Sequence, residues 1–170
     1  MAITYEPIAT TTLGSAAASV TFSSISGSYT DLILVGNGYL ATQDGYAPRI
    51  TFNSDTGNNY SFTQLGGDGT NASSTRSSNR ANIPMAWLSG WDSTSTQLGM
   101  FIAQIMNYSN ATTYKSVLSR ASQPDGTYPA AEAIVGLWRS TSAITSIIIA
   151  ADIATFATGS RFTLYGIASA

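Results

Sequence analysis

The strongest constraint in this chain is an apolar–polar alternation of period two. Ala18, Val20 and Phe22 alternate with Ser19, Thr21 and Ser23; Ile50 and Phe52 with Arg49, Thr51 and Asn53; Phe162 and Leu164 with Arg161 and Thr163. Successive side chains of an extended strand point to opposite faces, so this pattern gives half-buried strands with one wet face. Three other segments are apolar at consecutive positions: Leu32-Ile33-Leu34-Val35, Met100-Phe101-Ile102-Ala103 and Ile147-Ile148-Ile149-Ala150. They read as central strands covered on both sides, by the chain itself or by a neighbouring subunit.

Strands are expected near 4–12, 17–23, 31–39, 47–53, 83–89, 97–106, 114–121, 131–139, 144–151 and 161–168. Gly, Asp, Ser and Pro clusters separate them, among them Asp44-Gly45, Pro124-Asp125-Gly126 and Thr158-Gly159-Ser160. No stretch of ten residues carries a helical period with caps; residues 58–65 fit one short helical turn. Short strands at this spacing define an all-β sandwich or barrel in a single domain, 1–170. Residues 1–15 read as an N-terminal edge strand or arm. The stretch 66–82, GGDGTNASSTRSSNRAN, has no apolar period and reads as a long loop carrying Arg76 and Arg80.

Composition removes several chemistries. The chain has no His and no Cys, so disulfides, thiolate nucleophiles, Ser-His-Asp triads and ordinary zinc sites are absent. Only 9% of residues are charged, and the formal net charge is -2, against a usual charged share of about 25%. With Lys115 the only lysine, a clustered cationic surface for nucleic acid is not expected. The apolar run 143–157 is interrupted by Thr145, Ser146, Asp152 and Thr155 and is too short and polar to span a bilayer. The start has neither the basic region nor the apolar core of a secretion signal. Neither membrane nor export is therefore expected.

Catalysis would fall to carboxylates, but most Asp residues sit in expected turns, where the side chain bonds its own backbone. No catalytic residue, cofactor or metal site is assigned. Residues 53–59, NSDTGNN, place oxygens at alternate positions without matching a calcium loop, and read as an Asx-rich turn. Gly66-Gly67-Asp68-Gly69 lacks the Lys-Ser/Thr of a phosphate loop. Trp87 and Trp138 fall inside expected strands and read as core. Trp91, in Ser89-Gly90-Trp91-Asp92-Ser93, is the better candidate for an exposed contact, such as stacking on a sugar.

Several motifs together carry a family resemblance: Tyr5-Glu6-Pro7-Ile8-Ala9-Thr10-Thr11-Thr12-Leu13-Gly14-Ser15, Ser28-Tyr29-Thr30-Asp31-Leu32, Ile50-Thr51-Phe52-Asn53 with Asn59-Tyr60-Ser61, Thr113-Tyr114-Lys115-Ser116-Val117-Leu118-Ser119-Arg120, Gly136-Leu137-Trp138-Arg139 and Phe162-Thr163-Leu164-Tyr165-Gly166-Ile167. As a set they resemble small structural proteins of tailed bacteriophages, including cyanophages. The resemblance implies a jelly-roll-like antiparallel β-sandwich of about eight to ten strands. It also implies a virion protein without catalytic residues: a decoration (cement) protein on the capsid surface, made in the host cytoplasm. The expected partners are the major capsid protein and two further copies in a homotrimer. The alternative is a head- or tail-fibre tip binding host glycan. Expected contact residues are Tyr5, Ile8 and Leu13 in the N-terminal segment, with Trp91, Arg76 and Arg80.

Overall fold

The computed structural model of the chain describes residues 4–42, 48–86, 91, 93, 97–124 and 130–168. The described residues form twelve strands and no helix: β1 (Tyr5–Thr12), β2 (Ser19–Phe22), β3 (Asp31–Gly38), β4 (Arg49–Phe52), β5 (Tyr60–Gly67), β6 (Ala72–Arg80), β7 (Ile83–Pro84), β8 (Gly99–Met106), β9 (Lys115–Gln123), β10 (Ala130–Trp138), β11 (Ile147–Ala150) and β12 (Arg161–Ile167). They pair antiparallel in two sheets. One has eight strands in the order β1-β12-β3-β8-β9-β10-β5-β6, the other four in the order β2-β11-β4-β7. The fold is thus an all-β antiparallel sandwich.

The alternating residues build the core between the sheets. From the large sheet, Leu32, Leu34, Phe101, Ala103, Ile105, Val117, Phe162 and Leu164 point inward. From the small sheet, Val20, Phe22, Ile50, Phe52, Ile147 and Ile149 meet them. Two aromatic clusters fill the space. Trp91 stacks near Phe162 (centroids 6.1 Å apart, planes 20°) and meets Phe156 edge-on at 5.7 Å. Trp138 stacks on Tyr60 at 6.3 Å and leans on Phe52 at 5.5 Å. The Trp91 cluster, which includes Phe101, presses on the inner side of the large sheet at two of its glycines. A Cβ at Gly99 would collide with the Trp91 indole, and one at Gly36 with the Phe101 ring.

Two expectations are corrected. The turn of helix over 58–65 and the loop over 66–82 are instead strands β5 and β6, joined in a hairpin. Its turn is closed by Asp68, whose Oδ1 accepts the N–H groups of Thr70 at 2.8 Å and Asn71 at 2.6 Å, with Gly69 at φ +86°. This hairpin raises the strand count above the expected eight to ten. The second correction is Trp91, which is fully buried and not an exposed contact. Trp87, the Asp44-Gly45 turn and most of the turn after Pro124 lie outside the described residues.

Candidate interaction surface

Strand parity sets what the outer face of the large sheet displays. Each inward residue leaves its two chain neighbours pointing outward. The registers align these outward residues into rows across the sheet. One row runs Pro7, Tyr165, Ile33, Gln104, Leu118, Val135, Thr63 and Arg76 from edge to edge. The adjacent row runs Thr163, Val35, Ile102, Arg120, Ala133, Leu65 and Ser74. Eight strands at about 4.8 Å spacing make a face roughly 34 Å wide. No described segment of the chain forms a layer over it.

The face is apolar beyond what a wet sheet surface needs. Among the described residues, nine large apolar side chains remain exposed, and six of them lie here: Tyr5, Leu65, Met100, Met106, Leu118 and Val135. A groove of about 700 Å³ crosses the face over its central strands. Ile33, Val35, Ile102 and Leu118 form its floor, and Tyr5 and Tyr165 wall one end. Gln104 and Arg120 are the polar groups in it. Arg120 makes no ion pair with any described residue; Arg49 pairs with Asp152 at 2.6 Å, away from this face. Arg161 and Arg76 are further outward guanidiniums. Asp31, outward on β3 two residues before Ile33 and opposite Ile167, accepts the Asn107 N–H at 2.7 Å.

The six expected contact residues divide among three settings. Tyr5 is 58% exposed and lines the groove. Ile8 sits at the register shift between Pro7 and Ala9 and turns against the core, as does Leu13. Leu13 is also held by main-chain bonds to Ser160 and Gly159. Trp91 is in the core. Arg76 lies on the outer face opposite Thr63, beside a second, more polar hollow of about 510 Å³. Arg80 stands opposite Tyr60 at the sheet's margin. Of the groove floor, Ile33, Val35 and Ile102 lie in the segments that the sequence marks as apolar at consecutive positions, and Leu118 carries no such mark.

The carboxylates that could have suggested catalysis or cation binding are occupied as acceptors. Asp55 takes the Trp138 indole N–H at 2.7 Å, the Asn59 amide at 3.0 Å and the Gly57 N–H at 2.9 Å. These donors, the indole first, hold its carboxyl below the ordinary range against the opposing effect of burial. A ring of donors is the reverse of a cation site. Among the described residues no three acidic side chains converge. Lys115 is buried, donating from Nζ to the carbonyls of Thr113 at 2.7 Å and Thr141 at 3.1 Å, and desolvation lowers its pKa.

No protein-family model matches the chain, and no curated protein matches it. Among solved structures, a marine alginate lyase from Aplysia kurodai aligns over 84% of this chain and 70% of its own, at 7% identity and a TM-score of 0.29. A likeness at that level carries no functional argument.

Proposed function

We propose that the protein is a structural component of a bacteriophage virion, a capsid decoration protein that holds the major capsid protein through the outer face of its large sheet. The observation that carries this reading is the uncovered apolar face itself. Contiguous exposed apolar patches of this kind mark association surfaces. The motif resemblance supplies the setting, and a sandwich is compatible with the jelly-roll-like fold it implies. The reading is non-enzymatic, in keeping with Asp31, Asp55 and Asp68, whose carboxylates serve the fold as hydrogen-bond acceptors. The burial of Trp91 takes away the aromatic platform that favoured a glycan-binding fibre tip.

A homotrimer belongs to the same reading, with the three-fold contact made elsewhere and the large face left for the shell. Light scattering on purified protein tests it: a trimer that persists in Leu118→Asp supports it, and a monomer counts against it. The virion role is tested by copy number, counted against the major capsid protein in purified particles. Hundreds of copies per particle are expected; a few tens or fewer would reassign the protein to a fibre. Raising salt from about 0.1 to 1 M should release little of it, because screening acts on charges and not on buried apolar area.

A further inference from the structure

We infer that the groove on the outer face receives an apolar protein segment bearing a carboxylate, and that the carboxylate pairs with Arg120. This rests on the outer face being an attachment surface, and not on where in the virion, or in what particle, the protein resides.

The floor fixes the apolar part of the occupant. Ile33, Val35, Ile102 and Leu118 offer methyl groups over about 700 Å³, and no strand, loop or turn of the described chain enters that space. The apolar surface continues past the groove to Val135 and Leu65, so its extent suits a chain segment better than a small molecule. The charge fixes the rest. Arg120 is on β9, fifth of eight strands and therefore near the middle of the face. Arg161 and Arg76 flank it toward the two edges, and the acid Asp31 is already bonded to the Asn107 N–H. Among the described residues three outward guanidiniums, Arg76, Arg120 and Arg161, stand against one outward carboxylate, Asp31, so the balance of charge on the face favours a partner's carboxylate.

The same charges disfavour a second copy as the occupant. Two copies stacked face to face about a two-fold axis place the middle strands of each against the other. The outward guanidiniums Arg76, Arg120 and Arg161 of each copy would then be brought together in a low-dielectric contact, with Asp31 the one described outward acid to offset them. Edge-to-edge pairing is blunted as well: β1 carries Pro7 and a register shift, and β6 carries Arg76, Arg80 and a register shift opposite Tyr60–Phe62.

The test uses full-length protein labelled at Ile, Leu and Val methyls. It is titrated in the millimolar range with three blocked dipeptides: acetyl-Leu-Glu-amide, acetyl-Leu-Gln-amide and acetyl-Leu-Lys-amide. We expect saturable shifts at Ile33, Val35, Ile102 and Leu118, with the Glu probe about threefold tighter than the Gln probe, the size of an exposed ion pair. The Lys probe should bind weakest. Arg120→Gln should equalise the Glu and Gln probes while the methyl shifts persist, and Leu118→Asp should abolish the shifts for all three. No saturable shifts, shifts centred elsewhere, or equal affinity for the Glu and Lys probes would overturn the inference. So would a self-association that Leu118→Asp dissolves, because it would make a second copy the occupant. A low copy number in virions would sink the capsid reading and leave these results intact.

Discussion

Along β8, Phe101, Ala103 and Ile105 point inward and are fully buried, whereas Met100, Ile102, Gln104 and Met106 point outward and are half-buried or exposed. Similar residue types stand on both sides of one strand, one set packed against the small sheet and the other against nothing in the described chain. β3 repeats the pattern with Leu32 and Leu34 inside and Ile33 and Val35 outside. Core apolar residues account for themselves through burial, at about 25 cal/mol per Å². The outer ones gain only part of that in the isolated chain. Their apolar character is therefore a feature folding does not require, and an interaction surface is the economical physical account of it.

If the two faces differ in this way, their substitutions should differ in size and kind. The largest effect is expected at Trp91, wedged among Phe101, Phe156 and Phe162. Trp91→Ala should lower stability by about 3–5 kcal/mol, read from the denaturant midpoint. A sugar-binding role for Trp91 would instead predict a stability near that of the unmodified protein.

Tyr60 should come next. Its hydroxyl donates to the Asp55 carbonyl at 3.0 Å and accepts the Phe52 N–H at 3.0 Å, and burial pushes its pKa up to about 12. The folded state therefore holds this proton more tightly than the unfolded chain. The resulting stability is fully present below pH 10 and is lost as pH rises through about 12. Tyr60→Phe should cost about 1–3 kcal/mol at neutral pH and should lack this alkaline loss. Lys115 acts oppositely, since its lowered pKa makes the fold gain stability as pH rises toward 10.5. Comparing Tyr60→Phe with the unmodified protein at each pH cancels the Lys115 contribution.

Asp55 should give a smaller, acid-side effect. Its carboxyl is held below the ordinary 3.8, so the stability it contributes is present above that value and lost as pH falls through its folded pKa. Asp55→Asn should flatten this part of the acid profile in equilibrium unfolding measured below pH 4. The smallest stability change is expected on the outer face: Leu118→Asp and Val135→Asp, exposed at 41% and 54%, should each shift stability by no more than about 0.5 kcal/mol. A loss of several kcal/mol at either site would mean the outer face is part of the fold's own packing, and the contrast between the faces would fall.

Most of the fold was legible because most strands bury one face. Where Val20, Phe22, Ile50, Phe52, Phe162 or Leu164 must be dry, the chain shows it in its spacing. The β6 half of the β5–β6 hairpin was not legible for the same reason. β6 is an edge strand with nearly every side chain exposed, so no apolar period marks it, and its Ser, Thr and Asn resemble a loop. Trp91 was misread because its neighbours Gly90, Asp92 and Ser93 are turn-like, while the cradle that buries it is Gly99 and three distant phenylalanines. The groove was half legible. Ile33, Val35 and Ile102 stood out as apolar on the second face, but their meeting with Leu118, Arg120 and Tyr165 depends on the register of β12, β3, β8 and β9, which adjacency in sequence does not encode.

The most direct test of the outer face as the attachment surface is incorporation of the double variant Leu118→Asp/Val135→Asp into virions in place of the unmodified protein. Purified particles would be assayed for the variant by quantitative mass spectrometry, beside its thermal melt and light scattering in solution. The folded double variant, with an unchanged melt and an unchanged oligomeric state, should be missing from the particles. Normal incorporation of that folded variant would contradict attachment through the outer face.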